Sequence, residues 1–384
     1  MNRGLQGRKV RQTTASEPFE ALVPFPLPPD PPLEVDLDLL ERANRAVGRL
    51  DALTLFLPDP SLFLYFYVRK EAVVSSQIEG TQSSLSDLLL HEYDKVPGVP
   101  MKDVEEVSQY VAALNHGLER LRGGFPLSLR LIREIHGILL SKGRGSTQSP
   151  GEFRKSQNWI GGTRPGNARF VPPPPEHLMA CMGALEKFLH AQPAGIPLLL
   201  KAALSHVQFE TIHPFLDGNG RLGRLLITLL LCIEGALSEP LLYLSLYFKE
   251  HRDTYYDLLQ RVRIEGDWEA WTAFFLEGVI ETSEQAVKTA QRITNLFARD
   301  RSGIEKMGQA AGNVSRVHSY LQKKPVLEIP RTSKEIGISQ PTVTSALKRL
   351  EEIGIVKEIT GMARDRIYVY REYLDILGEG TQPL

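Results

Sequence analysis

The chain predicts a mainly α-helical body followed by a smaller α+β module, and three observations lead there. Apolar residues recur at helical spacing in the first three hundred residues, as in Leu39, Leu40, Ala43 and Val47 and again in Val104, Val107, Val111 and Leu114. A stretch rich in Gly and Pro, 143–175, interrupts those helices and cannot be helical itself. Beyond residue 304 the pattern changes to short helices and then to alternating apolar strands.

Taken in order, residues 1–32 end in a run of prolines, Pro24 to Pro32, that predicts a flexible or extended arm. The arm carries Arg3, Arg8 and Arg11 but no apolar run, so it is not a secretory signal. Residues 33–122 read as an N-terminal helical region, including a helix from Ser61 to Glu79 that Gly80 is placed to end. A core over 123–300 begins with an amphipathic helix from Ser128 to Leu140. It continues with helices at 176–190, 197–211, 219–236, 251–263 and 267–299. Inside the Gly/Pro-rich interruption, Trp159 to Thr163 suits a small β-hairpin.

Composition is that of an ordinary globular protein: 384 residues, 42% hydrophobic and 24% charged. The net charge of −1 gives the whole chain no electrostatic case for nucleic acid or anionic membrane. Cys181 and Cys232 are its only cysteines, which fits reduced, buried thiols rather than a disulfide framework. The longest apolar run, Leu225 to Ile233, is far short of the ~20 residues a membrane span needs. A cytoplasmic protein is expected, with no membrane partner.

Residues 213 to 224 carry the chemistry. His213 stands four residues before Asp217, followed by the Gly218-Asn219-Gly220 turn and then by Arg221 and Arg224. Small residues let backbone N–H groups approach phosphate oxygens, and a helix starting near Gly220 directs its positive dipole end at them. Arg221 and Arg224, three apart, project from one side of that helix's first turn. Asp217 is a hard oxygen ligand suited to Mg²⁺ bridging phosphates. An imidazole such as His213 is a base near neutral pH.

This signature, His213-Pro-Phe-x-Asp217-Gly-Asn219-Gly-Arg221-x-x-Arg224, resembles that of the Fic family, whose members mostly transfer AMP from ATP to protein hydroxyls. Ser75-Ser-Gln-Ile-Glu79-Gly80 resembles the family's inhibitory motif. The segment from Gly151-Glu-Phe-Arg154 through Asn158, Trp159, Ile160, Gly161 and Gly162 to the Pro172–Pro175 run is similar to the one carrying the target-binding flap. The resemblance implies a Fic-type all-α core with a β-hairpin flap.

It also implies roles. ATP would lie over Gly218, Asn219 and Gly220, with Mg²⁺ on Asp217. Asn219 would orient the α-phosphate, and Arg221 and Arg224 would grip the β- and γ-phosphates. His213 would take the proton of a Ser, Thr or Tyr hydroxyl on a protein target, or on the chain itself. The flap, Asn158 to Gly162, would pair with the target backbone by strand addition. Ser75 and Glu79, at i and i+4, share one helix face. A Glu79 carboxylate reaching Arg224 as a bidentate ion pair would remove the γ-phosphate's partner, so the enzyme would be autoinhibited. Removal of AMP through the same residues is an alternative, and a homodimer is left open.

Residues 304–384 read as helix, helix-turn-helix and hairpin, which resembles a winged helix. The recognition-helix candidate offers Ser339, Gln340, Thr342, Thr344 and Ser345, short polar groups able to reach bases or phosphates. A DNA-bound regulator is therefore a further alternative. The segment's 12 basic and 10 acidic residues, net +2, are a weak charge excess for that role.

Overall fold

The computed structural model describes residues 3–13, 17–56, 60–91, 101–191, 196–362 and 364–383. Two strands open the chain, β1 (Gly7–Thr13) and β2 (Pro18–Pro24), paired antiparallel from Gly7 opposite Pro24 to Thr13 opposite Pro18. The arm expected over 1–32 is thus a hairpin seated on the body. Leu22 N donates to Val171 O at 3.0 Å. Glu17 holds Arg164 and the Gly166 amide. Phe19, Ala21 and Val171 close a small apolar cluster. Burial alternates only from Pro18 to Ala21 of β2, too short a period-2 signal to stand out beside the proline run.

Among the described residues, eleven helices then make the body: α1 (Leu37–Phe56), α2 (Pro60–Ile78), α3 (Leu85–His91), α4 (Met101–Arg122), α5 (Leu129–Leu139), α6 (Pro175–His190), α7 (Leu198–Ile212), α8 (Asn219–Ile233), α9 (Ser245–Glu250), α10 (Arg252–Glu265) and α11 (Trp268–Glu305). Good helix formers dominate α7, which is buried from Leu199 to Ile212 and packs on α6, α8 and α11. It stops because Pro214 cannot continue a helix, and His213 turns the chain with φ +49°. Helix α8 starts on Gly218, whose φ of +77° favours glycine, and a Cβ there would press on Leu140 at 3.2 Å. Helix α4 lies across α5 and α8, while α2 packs on α4 and α9. This stacking brings the end of α2 to the start of α8.

The hairpin expected at Trp159–Thr163 is minimal. Ile160 and Phe170 form a single antiparallel bridge, exchanging hydrogen bonds of 2.8 and 3.1 Å. Both cysteines are free thiols, Cys181 buried and Cys232 half-buried. No described helix is long and apolar enough to cross a membrane.

The final module is a winged helix: α12 (Ala311–Lys323), β3 (Val326–Glu328), α13 (Ile329–Ile336), α14 (Gln340–Glu352), β4 (Val356–Glu358), β5 (Ile367–Tyr370) and α15 (Arg371–Gly378). The sheet order is β3–β5–β4. Strand β3, three residues long, is too short to show periodicity, and α15 follows the hairpin as a further helix. The module's apolar residues are continuous with the core of the body. Tyr370 and Tyr373 pack on Phe297 of α11, with ring centroids 6.0 and 4.9 Å away.

Candidate active site

His213 sits in the left-handed region, which histidine visits more readily than most side chains. Arg154 pins it there: Nε donates to His213 O at 2.9 Å, and Nη2 donates to Pro173 O and Ile212 O. Burial pushes the His213 imidazole down to about 3, with Arg263 and Arg154 adding to the effect, so the ring is neutral at physiological pH. Its Nδ1 lies 4.0 Å from Glu210 Oε2. Burial in turn lifts the Glu210 carboxyl to about 7.

Asn219 closes the turn upon itself. Its Oδ1 accepts from Phe215 N and its Nδ2 donates to Phe215 O, both at 2.9 Å. Asn219, expected to orient an α-phosphate, here staples the loop, because a short amide at the start of a helix reaches its own preceding turn. Asp217 Oδ1 accepts from the Gly218 amide at 2.6 Å, and its side chain is 25% exposed. His136 steadies the same residue from behind. Its Nδ1 accepts from Gly151 N at 2.8 Å, so Nε2 carries the proton and donates to Asp217 O at 3.0 Å. The imidazole lies flat on Phe215, 3.7 Å between ring centres, and burial pushes it down to about 4.

The two arginines of α8 have different fates. Arg221 is buried, and its Nη1 donates to Glu106 Oε1 of α4 at 2.5 Å, with Asp217 at 3.9 Å on its other side. Arg221, expected to grip phosphates, ties α8 to α4 in this structure. Arg224 faces α2: Nε donates to Ser75 Oγ at 2.9 Å, and Nη2 donates to Ser75 O and to Glu79 Oε1, both at 2.8 Å. The Glu79–Arg224 pair is real but not bidentate, since half of the guanidinium fork is taken by Ser75.

The end of α2 leaves carbonyls without helical partners. Arginines supply the donors: Arg224 to Ser75 O, Arg252 to Ile78 O at 3.2 Å and Arg144 to Glu79 O at 2.8 Å. Glu79 Oε1 lies directly over the start of α8, where a Cβ added to Gly220 would come within 2.2 Å of it. Burial alone would raise the Glu79 carboxyl, but Arg224, Arg221 and Arg144 outweigh it and hold the carboxyl below its ordinary value. A carboxylate of the chain itself thus lies over the start of α8, held by Arg224. Gly80, with φ +101°, turns the chain away beyond it.

Beside this site a cleft of about 500 Å³ is lined by Gly80, Thr81, Asp103, Glu105, Glu106, Gly143 and Arg144. Of the expected flap, Asn158 turns inward and donates to Phe215 O at 3.0 Å, whereas Trp159 is 39% exposed. Gly161 and Gly162 adopt φ of +69° and +74°. No cluster of three or more metal-type ligands occurs among the described residues. A single carboxylate fits Mg²⁺ nonetheless, because that ion is commonly held by one or two carboxylates plus substrate phosphates and water.

A glycine turn opens a buried helix here, and a carboxylate from elsewhere in the same chain lies over its first turn. Comparison with known proteins makes the class specific. Residues 37–119 match the Fic/DOC family N-terminal model, 126–231 the Fic/DOC family model, and 313–357 a winged helix-turn-helix DNA-binding model. By these matches the chain carries a Fic/DOC family N-terminal domain and a Fic/DOC family domain side by side. The chain is 34% identical over 205 residues to a protein adenylyltransferase Fic of Aedes aegypti, covering 52% of this chain and 38% of that one. For the Culex quinquefasciatus protein of the same name the identity is 30% over 251 residues, with coverage of 63% and 45%. The chain thus spans less than half the length of these curated relatives. A crystal structure of a Fic family protein from Desulfovibrio desulfuricans G20 shares the fold, with a TM-score of 0.59 at 20% identity over 90% of this chain and 98% of that one. Fic-1 from C. elegans aligns with a TM-score of 0.53 at 22% identity, over 67% of this chain and 73% of that one.

Proposed function

We propose that the protein is an autoinhibited protein adenylyltransferase that moves AMP from ATP to a Ser, Thr or Tyr hydroxyl of a protein, itself included. The observation that carries this reading is the Glu79 carboxylate over Gly220 and on Arg224, the side chain that a terminal phosphate would need. The names of the relatives support the same chemistry.

In the reaction, the target hydroxyl oxygen attacks the α-phosphorus of ATP. The bond from that phosphorus to the α,β-bridging oxygen breaks, and diphosphate leaves. His213 takes the hydroxyl proton on Nε2, since Nδ1 faces Glu210. The neutral state imposed by burial leaves that lone pair free. Backbone amides at the start of α8 receive phosphate oxygens, and Arg224 takes the γ-phosphate once Glu79 withdraws. Asp217 would hold Mg²⁺, which would neutralise phosphate charge there. The exposed edge beyond Trp159 would receive the target backbone, holding its hydroxyl in line.

Intact-mass measurement of the protein after incubation with ATP and Mg²⁺, with and without a Glu79→Gly substitution, tests the reading. One or more AMP additions in the variant support it. An unmodified variant that also labels no protein of an added lysate contradicts it.

A further inference from the structure

Helix α2 has two working faces. Ser75 and Glu79 point to Arg224, while Gln77, two residues from each, lies roughly 200° round the helix axis on the opposite side. That rear face is occupied by the segment that leaves the winged helix. Gln77 Nε2 donates to Thr381 O and to Ser83 O, each at 2.8 Å. Thr381 is fully buried, accepts from Leu85 N at 3.4 Å and donates to Gly378 O at 2.8 Å. Lys249 Nζ donates to Gly380 O at 3.0 Å and to Gln382 O.

The segment and α15 before it are also anchored on α11 and α2 of the body. Glu379 receives both Nη groups of Arg292 at 2.6 and 2.8 Å, and Glu372 receives Arg299 at 2.7 and 3.1 Å. Tyr373 sets its ring edge against Phe66 of α2, 5.5 Å between centroids. Irregular backbone is rarely buried, because its carbonyls then need dedicated donors. Here α2 and α9 supply them through Gln77 and Lys249.

We propose that residues 378–382 are a brace that presses the inhibitory helix onto the nucleotide site, so that the winged helix regulates AMP transfer. This rests on the adenylyltransferase reading above. A shift of β5 and α15 would slacken the brace, let the end of α2 loosen and withdraw Glu79 from Arg224. No catalytic group would be touched.

Two substitutions in the full-length protein test it. Gly380 has φ +77°, and a Cβ there would meet Leu246 at 2.8 Å, so Gly380→Val displaces the brace. Gln77→Met removes the donor while keeping the helix. Amide hydrogen exchange at residues 75–82 and transfer of label from ATP labelled on its α-phosphate are measured together, with Glu79→Gly as reference. Faster exchange with labelling raised about tenfold, as expected from the loss of one or two buried hydrogen bonds, supports the brace. Unchanged exchange in both variants overturns it. So does faster exchange without added labelling when Glu79→Gly itself labels strongly. If Glu79→Gly is inert, the adenylyltransferase reading fails, and the exchange data alone still decide whether the segment braces α2.

Discussion

The start of α8 and the start of α14 are both helix N-termini that carry polar side chains, yet those side chains live differently. At α8, Asn219, Arg221 and Arg224 are each buried and committed to partners on α2, α4 or the preceding turn. At α14, Ser339 caps its own helix through Thr342 N at 3.3 Å, and Thr344 donates to Gln340 O at 2.9 Å. Gln340, Thr344 and Ser345 face solvent. The first set is held in one geometry by the fold, which is what a reaction needs. The second stays free to adapt, which suits a contact surface. The winged-helix match names DNA for such surfaces, and the module's charge excess of +2 makes any such contact salt-sensitive and weak.

If that contrast holds, the largest effects come from α8 and its turn. In a Glu79→Gly background, His213→Ala should reduce AMP transfer by about 10²–10⁴-fold and leave ATP binding near the parent value, measured by labelling rates and calorimetry. A loss of binding equal to the loss of rate would make His213 a ligand of the nucleotide instead of the base.

Arg221→Met should act on stability rather than on nucleotide. It strands the Glu106 carboxylate in the interior, a change that typically costs about 3–5 kcal/mol, read from denaturant unfolding. A variant of parent stability with weakened ATP binding would restore the phosphate role for Arg221. At the other helix, Ser339→Ala should cost about 1 kcal/mol through the lost cap and leave labelling unchanged.

The smallest effect on rate is in pH. His213 stays neutral down to about 3, and so does His206, while His136 and His318 stay neutral to about 4. AMP transfer should therefore show no acid limb near pH 6.5. Stability behaves otherwise. Below about 6.5 the unfolded imidazoles bind protons that the fold does not, so stability is lost as pH falls from 6.5 toward 3–4. A rate that halves at pH 6.5 without unfolding would show a solvated, titrating His213.

Much of the site was legible because its chemistry is local. The turn from His213 to Arg224 announces an anion site by residue type alone, and the spacing of Ser75 and Glu79 announces one helix face. Their meeting with Arg224, some 145 residues away, could be inferred only from the resemblance to a family. What stayed hidden was the choice of tertiary partners. Nothing in the spacing of Arg221 and Arg224 says that one goes to Glu106 and the other to Ser75. Asn158 and Asn219 look like ligand-facing amides until the loops close on them. Arg154 and His136 hold the turn through backbone carbonyls, which carry no side-chain signature. The β1–β2 hairpin was masked by the prolines that follow it, and α15 by its position after a strand.

The central claim is that Glu79 stands where a phosphate should be. The direct measurement compares the parent with Glu79→Gly for AMP transfer from ATP labelled on its α-phosphate. Freeing Arg224 for a charge-assisted phosphate contact, about 1.5–3 kcal/mol, predicts a gain of about 10–150-fold. Labelling equal to or below that of the parent would contradict it, since a carboxylate that opposes the reaction cannot be lost without a gain.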